Sequence, residues 1–206
     1  MAIGKFYNSA GFDVCMNVII LHGCPYDEEK AMSLEERTYD KHWIPWVKKK
    51  LEKGGIEVEA PHMPNPWRAD YEIWKEGFSK LEINEDTVLV GHSCGAAFLV
   101  RWLGDIDKKV KKLILVAPWK IPYGEGERLE LKKKFYNYQI NPEIKKNVAK
   151  ITIFTSDDEE EDGKKSAKIF HDALGGKLVE LKGNGHYCLE DMGTEEFPEL
   201  LEAILE

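Results

Sequence analysis

Residues 87–103 read "TVLVGHSCGAAFLVRWL" and combine three signals in one short segment. Residues 87–90 are apolar or β-branched, a Gly-His-Ser-Cys-Gly turn follows, and apolar residues then recur at helical spacing. Ser93 therefore stands between two glycines, on the shoulder between a buried strand and a helix. Either the turn needs small residues to be tight, or it raises a nucleophile into a cleft.

Strand and helix signals alternate along the rest of the chain. Short apolar runs ended by turn residues predict strands at 18–21, 56–60, 87–90, 112–117, 150–155 and 177–181. Helical periodicity predicts helices at 43–53, 70–81, 164–174 and 194–205, besides the one after the Ser93 turn. This alternation indicates βαβ units, so we expect an α/β fold with a mainly parallel six-stranded sheet flanked by helices on both faces, a three-layer αβα arrangement.

Composition limits the class of protein and its partners. A chain of 206 residues suits a single domain over residues 1–206. The 29 basic and 37 acidic residues give a net charge of −8, which disfavours nucleic acid or an anionic membrane surface as a partner. No apolar run approaches the roughly 18 residues of a membrane span, and the first residues lack a signal-peptide pattern. We expect a cytoplasmic protein, whose oligomeric state the sequence does not indicate.

Chemically active residues follow several of the predicted strands. His22-Gly23-Cys24 follows the first strand, Ser93 the third, residues 157–159 the fifth and His186 the last. The carboxyl ends of parallel strands meet at one edge of the sheet, where ligands bind. A nucleophile, an acid and a histidine are therefore predicted at one edge, in that chain order.

These residue types at these positions are typical of a serine hydrolase. Gly-x-Ser-x-Gly between a strand and a helix is a nucleophile elbow, and its serine needs a base such as His186. The third member orients the imidazole. Asp157, Asp158 and Glu159 are the candidates, and the pattern alone leaves the choice among them open.

Two backbone N–H groups are expected to form an oxyanion hole. One belongs to Cys94, after the serine, and the other to Cys24 or its neighbour in the loop after the first strand. For the substrate pocket we expect His22, Trp67 and Trp119, the last because it leaves the sheet at the catalytic edge. No Cys-x-x-Cys or His-Glu-x-x-His spacing indicates a metal, and no organic cofactor is implied.

Three of the four cysteines, Cys24, Cys94 and Cys188, lie within two residues of these site elements. Four cysteines are too sparse for a disulfide framework, so we expect small apolar filler. The alternative is oxidative control, in which a disulfide such as Cys24–Cys94 distorts the oxyanion hole.

Longer motifs carry a family resemblance. "HWIPWVKKKLEKGG", "MPNPW" at 63–67, "LILVAP" and the closing "GNGHYCLED" accompany the elbow. From about residue 18 onward the chain resembles the small serine hydrolases of the α/β-hydrolase superfamily that are typified by retinoblastoma-binding protein 9 and the YdeN-like proteins. The resemblance implies a minimal α/β-hydrolase fold and a Ser-Asp-His triad, here Ser93, an acid within 157–159 and His186.

The resemblance also suggests which residue is the triad acid and which segments form a lid and a cap. In relatives the acid is the second of an Asp-Asp pair, which favours Asp158, whereas a gapless register would place Glu159 there. The segment 25–41 is longer than the family leads us to expect and is a candidate lid. Residues 119–147 look irregular and resemble a cap-like insertion, and residues 1–17 form an N-terminal extension. The Leu-x-Cys-x-Glu segment linked to retinoblastoma binding is absent, so that partner is not inferred.

Together these features predict a carboxylesterase-type serine hydrolase that cleaves small, neutral ester substrates through an acyl-enzyme. The alternative is a hydrolase-fold protein-interaction module with weak or no turnover, because a fold does not guarantee its chemistry.

Overall fold

The computed structural model describes residues 16–25 and 27–206. Six strands form one sheet: β1 (Asn17–Leu21), β2 (Glu57–Glu59), β3 (Val88–His92), β4 (Val110–Val116), β5 (Val148–Ser156) and β6 (Lys177–Leu181). Their order is β2-β1-β3-β4-β5-β6, and every neighbouring pair is parallel. All six strands of the sequence-based prediction are present, and the parallel sheet brings their carboxyl ends to one edge.

Eight α-helices are present among the described residues. They are α1 (Ile44–Lys53), α2 (Tyr71–Phe78), α3 (Cys94–Asp105), α4 (Gly126–Tyr136), α5 (Ile144–Asn147), α6 (Glu161–Leu174), α7 (Leu189–Met192) and α8 (Pro198–Leu205). Two short 3-10 helices, Asp27–Ala31 and Pro66–Arg68, lie in the loops after β1 and β2.

The two faces of the sheet bury separate cores because successive strand residues point to opposite sides. In β1, Val18 and Ile20 belong to the core that includes residues of α1 and α8. Ile19 and Leu21 belong to the core packed against α2 to α6. Helices therefore cover both faces, which confirms the predicted three-layer α/β architecture.

Residues 119–147 differ from the expected irregular segment because they contain α4 and α5. The α4 sequence "GERLELKKKFY" has no apolar stripe that periodicity could detect, yet its Glu, Leu, Lys and Arg residues favour helix. Burial of Phe135 and Tyr136 near its end then anchors the helix against the larger core. The short α7 was also not predicted.

The predicted N-terminal extension, residues 1–17, lies outside the described residues except for Met16 and Asn17, and Asn17 already belongs to β1. Among the helices over residues 16–25 and 27–206, none combines the length and apolar character that a membrane crossing requires.

An aromatic cluster joins α2 to α3. Phe98 is fully buried and contacts the rings of Trp74 and Phe78 edge-on or nearly so, with centroids 5.6 and 5.3 Å apart. Phe78 continues the contact to Trp102 at 4.8 Å. Because α3 begins directly after Ser93, this packing holds the helix that carries the elbow.

Phe98→Ala is expected to lower the free energy of unfolding by about 3–5 kcal/mol, because the substitution leaves a cavity among these rings. Urea unfolding measures the change. Ile73→Ala on α2, where the side chain is 47% exposed, is the matched control, with an expected change of about 0.5 kcal/mol or less. Equal losses in the two variants would contradict the assigned role of the cluster.

Candidate active site

The turn between β3 and α3 holds Ser93 in a backbone conformation that side chains rarely adopt, with φ at 52° and ψ at −115°. A Cβ at Gly91 would lie 2.6 Å from the Ala96 backbone, and a Cβ at Gly95 would lie 2.5 Å from the His22 carbonyl oxygen. Both glycines are therefore required by close backbone approach. The elbow presents the half-buried Ser93 to a cavity of about 530 Å³.

A continuous hydrogen-bonded chain runs from Ser93 through His186 to Glu159. Ser93 Oγ lies 2.9 Å from His186 Nε2, and His186 Nδ1 lies 2.9 Å from Glu159 Oε2. The Glu159 side chain is 1% exposed and the His186 side chain 21% exposed. In this arrangement Nδ1–H donates to the carboxylate, which leaves the Nε2 lone pair directed at the serine hydroxyl.

The preference for Asp158 as the acid beside His186 was wrong for this geometry. Asp158 Oδ1 accepts hydrogen bonds from Ser156 Oγ–H and from Gly185 N–H, the latter at 2.8 Å. The Ser156 hydroxyl, followed by the Gly185 amide, lowers the pKa of Asp158 below its usual value. Gly163 makes room for the longer Glu159 side chain, since a Cβ at Gly163 would lie 2.6 Å from Glu159 Cδ.

Further contacts fix the loop that carries His186. Asp191 Oδ2 accepts the His186 N–H at 2.9 Å, and the His186 carbonyl oxygen accepts a hydrogen bond from His92 Nε2–H at 2.8 Å. Burial, with a smaller contribution from the nearby His186, holds the pKa of His92 well below its usual value. His92 is therefore neutral, and its hydrogen bond to the His186 carbonyl oxygen helps to fix the loop.

The backbone N–H groups of Cys24 and Cys94 form no hydrogen bond to any described residue, so they are available to an oxyanion. His22 orients the first of them. Its Nε2 accepts the Met63 N–H at 2.9 Å, and its Nδ1–H donates to the Gly23 carbonyl oxygen at 2.7 Å. Because a trans peptide directs C=O and N–H to opposite sides, this bond turns the Cys24 N–H away from His22.

The predicted pocket residues divide into two groups. Trp119 lines the cavity with Ser93, and its ring meets the His186 ring edge-on at 5.5 Å. His22 does not line it: the residue is 2% exposed, and burial lowers its pKa to about 4, so it is a neutral bridge between Gly23 and Met63. Trp67 was also wrongly placed, because it lines a separate cleft with Arg68. Both predictions were wrong because the position of a residue in the sequence does not determine where its side chain points in the folded protein.

Several residues that line the cavity were not predicted individually, although their segments were predicted as a lid and a cap. Glu29 and Tyr39 come from the segment 25–41, and Tyr123 and Arg128 come from the segment 119–147. The 95% buried Glu29 accepts the N–H groups of Thr38 and Tyr39 through Oε2, at 2.7 and 3.3 Å. Both segments therefore contribute to the cavity wall.

The cysteines depart from the expected apolar filler. Cys24 and Cys94 form a disulfide with Cα atoms 5.8 Å apart. Cys188 is a buried free thiol beside the same cavity, and burial, with smaller contributions from Asp191 and Glu190, raises its pKa to about 12. A thiol with so high a pKa stays protonated and is a poor nucleophile.

Three neighbouring side chains are of types that can coordinate a metal ion. Ligand atoms of His42, Cys188 and Glu190 lie within 4.8 Å of one another. The Leu189 N–H, however, donates to His42 Nδ1 at 3.0 Å, so the neutral ring carries its proton on Nε2. Burial also lowers the pKa of His42, which favours this neutral form. Neither ring nitrogen offers a free lone pair, and the group fits a metal poorly.

Glu159→Gln is expected to lower kcat for ester hydrolysis by roughly 10³–10⁴-fold, because an amide in that place no longer stabilises the imidazolium. Asp158→Asn should lower it less than about tenfold, because its side-chain oxygen can accept the same two hydrogen bonds. Steady-state kinetics of both variants, with folding checked by circular dichroism, separates the two acids. A collapse of activity in Asp158→Asn alone would contradict the assignment.

The chain is similar to known serine hydrolases in sequence. A sequence profile of the family described as "Serine hydrolase" matches residues 35–205. The serine hydrolase RBBP9 of Rattus norvegicus is 31% identical over 169 residues, covering 79% of this chain and 84% of RBBP9. YdeN of Bacillus subtilis (strain 168) is 28% identical over 162 residues, covering 76% of this chain and 83% of YdeN.

The solved structures show the same fold. The crystal structure of the ydeN gene product from B. subtilis matches with a TM-score of 0.76 at 23% identity, covering 92% of this chain and 96% of that one. The fold is that of the α/β hydrolases, and the family profile spans most of the sequence. The chain belongs to the serine hydrolase family.

Proposed function

We propose that this protein is a carboxylesterase-type hydrolase that cleaves small esters through a covalent acyl-enzyme. The observation that carries the proposal is the pair of 2.9 Å hydrogen bonds that joins Ser93, His186 and Glu159 beside the cavity. A serine hydroxyl is a weak nucleophile on its own, and this chain supplies both the base and the group that orients it.

Acylation begins when Ser93 Oγ attacks the ester carbonyl carbon. His186 Nε2 takes the hydroxyl proton, and the carboxylate of Glu159 stabilises the imidazolium that forms. When the tetrahedral intermediate collapses, the same proton passes to the departing alkoxide. The alcohol leaves, and the acyl group remains on Ser93.

The tetrahedral oxyanion is stabilised by the backbone N–H groups of Cys24 and Cys94. Preorganised donors of this kind are among the largest contributions to acyl transfer, because they need no reorganisation as charge develops. Cys94 also begins α3, so the partial positive charge of the helix N-terminus lies beside the oxyanion.

Deacylation repeats the sequence with water as the nucleophile. His186 Nε2 deprotonates the water, and the second tetrahedral intermediate expels Ser93 Oγ, which recovers its proton. The partial exposure of His186 supports access of water to this nitrogen. Hydrolysis rather than transfer to another acceptor is therefore the proposed outcome.

The cavity favours neutral substrates over anionic ones. Among the described residues that line it, Glu29, Glu160, Glu161 and Asp162 are acidic, and Arg128 supplies a guanidinium. A carboxylate-bearing ester would meet this excess of like charge near the reacting bond. Segments 25–41 and 119–147 act in this proposal as the lid and the cap that limit substrate size.

The competing hypothesis is a hydrolase-fold interaction module with weak or no turnover, which an incomplete triad would favour. A carboxylate 2.9 Å from His186 Nδ1 weakens that hypothesis. Intact packing of the elbow around Ser93 supports turnover as well.

The wild-type protein is expected to hydrolyse p-nitrophenyl acetate and butyrate, and Ser93→Ala to lower kcat at least about 10⁴-fold because no nucleophile remains. Release of p-nitrophenol measures the rate. Absence of turnover in the folded wild type, or equal turnover in Ser93→Ala, would overturn the proposal.

A neutral p-nitrophenyl butyrate and a p-nitrophenyl monoester of succinic acid have acyl chains of similar length. We expect kcat/KM to be at least about tenfold higher for the neutral ester, which corresponds to about 1.4 kcal/mol of transition-state discrimination. The preference should shrink as ionic strength rises, since salt screens charge. A preference for the anionic ester would contradict the assigned role of the acidic lining.

A further inference from the structure

The Cys24–Cys94 disulfide joins the two residues whose backbone N–H groups are assigned to the oxyanion hole. The bond links positions 70 residues apart in sequence and holds their Cα atoms 5.8 Å apart. One end lies in the loop after β1, and the other is the first residue of α3. The covalent bridge therefore spans the two donors themselves rather than a remote part of the fold.

The two ends differ in how firmly the rest of the structure holds them. Cys94 is fully buried at the start of a helix whose apolar side packs in the larger core. Cys24 is partly exposed, belongs to no helix or strand, and leads into the segment 25–41. The hydrogen bonds of His22 fix the preceding peptide at one side only. The disulfide is the covalent tie that holds Cys24 against the elbow.

We propose that the Cys24–Cys94 disulfide positions the oxyanion hole, so that the oxidised protein is the efficient hydrolase and reduction impairs it. This inference rests on the proposed esterase function. Two hydrogen-bond donors stabilise an oxyanion only when both are preorganised at hydrogen-bond distance from its oxygen. Without the bridge, the loop that carries the Cys24 N–H gains conformational freedom. In a fraction of the protein molecules only the Cys94 N–H is then positioned to stabilise the oxyanion.

The bond is placed where a thiol reductant can reach it. Cys24 lines the cavity and is partly exposed, whereas Cys94 is buried. A thiolate of a small dithiol attacks Cys24 Sγ, forms a mixed disulfide there and expels Cys94 as a thiolate, which then takes a proton. The N-terminus of α3 stabilises that leaving thiolate. The second thiol of the reductant closes on the mixed disulfide and releases the Cys24 thiol, so two electrons pass from the dithiol to the protein.

The test compares the oxidised protein with the same protein after dithiothreitol treatment and removal of the reagent under nitrogen. Reduction is expected to lower kcat and kcat/KM for p-nitrophenyl acetate together, by about tenfold or more, with KM nearly unchanged, because the oxyanion hole acts in the transition state. Oxidised glutathione should restore the rate. Intact mass, with and without thiol alkylation, reports the redox state of each sample.

The double variant Cys24→Ala/Cys94→Ala is the matched control. It is expected to show the kcat of the reduced protein and to respond to neither reductant nor oxidant, although Cys15 and Cys188 are still present. Thermal melts separate a merely structural bond from a positioning one. If the bond were merely structural, its loss would lower Tm but would leave kcat unchanged at a temperature where every sample is folded.

Two outcomes overturn the inference and are distinguishable from each other. Ser93-dependent turnover that is equal in the oxidised, reduced and double-variant proteins would remove the positioning role and leave the esterase function intact. Absence of Ser93-dependent turnover in the fully oxidised protein would overturn both the function and this inference.

Discussion

Ser93 keeps a backbone conformation that costs a non-glycine residue of order 1–3 kcal/mol, and the surrounding packing must hold it there. Gly91 and Gly95 permit the turn because the Ala96 backbone and the His22 carbonyl oxygen occupy the space where their side chains would be. The same close packing brings β1, β3 and α3 together at one point. The position of the nucleophile and that of the Cys24 loop follow from this one crowded turn.

Three consecutive acidic residues after β5 make different contacts with the loop that carries His186. Asp157 accepts the Gly183 N–H at 2.9 Å and Asp158 accepts the Gly185 N–H at 2.8 Å, so both fix the backbone of the loop. Glu159 alone reaches the imidazole. The longer glutamate arm is compatible with this role because Gly163, at the start of α6, leaves space beneath it. Asp157 and Asp158 thus fix the backbone of the loop, and Glu159 orients the imidazole ring.

Much of the architecture could be predicted from the sequence because each strand is a short apolar run with a clear end. The alternation of strands with helices and the residues that follow each strand were enough to bring Ser93 and His186 to one edge. The helix α4 was missed because its charged residues show no apolar stripe, and its packed side is identified by the burial of Lys132, Phe135 and Tyr136.

The finer details of the site depend on side-chain direction, which residue order does not encode. Asp158 and Glu159 are neighbours in sequence but point to different partners. His22 lies on the catalytic edge yet turns away from the cavity to bridge Gly23 and Met63. The disulfide likewise depends on the 5.8 Å between the Cα atoms of a loop residue, Cys24, and the first residue of α3, Cys94, a distance that spacing along the chain does not give.

The most direct test of the account is to identify the residue that a fluorophosphonate modifies. Such a reagent reacts with a serine that a neighbouring histidine activates and that an oxyanion hole serves. Tandem mass spectrometry of the digested, labelled protein should find one adduct, on Ser93, and none in folded Ser93→Ala. An unlabelled wild-type protein, or an adduct on a different serine such as Ser156 or Ser166, would contradict the assignment of Ser93 as the activated nucleophile.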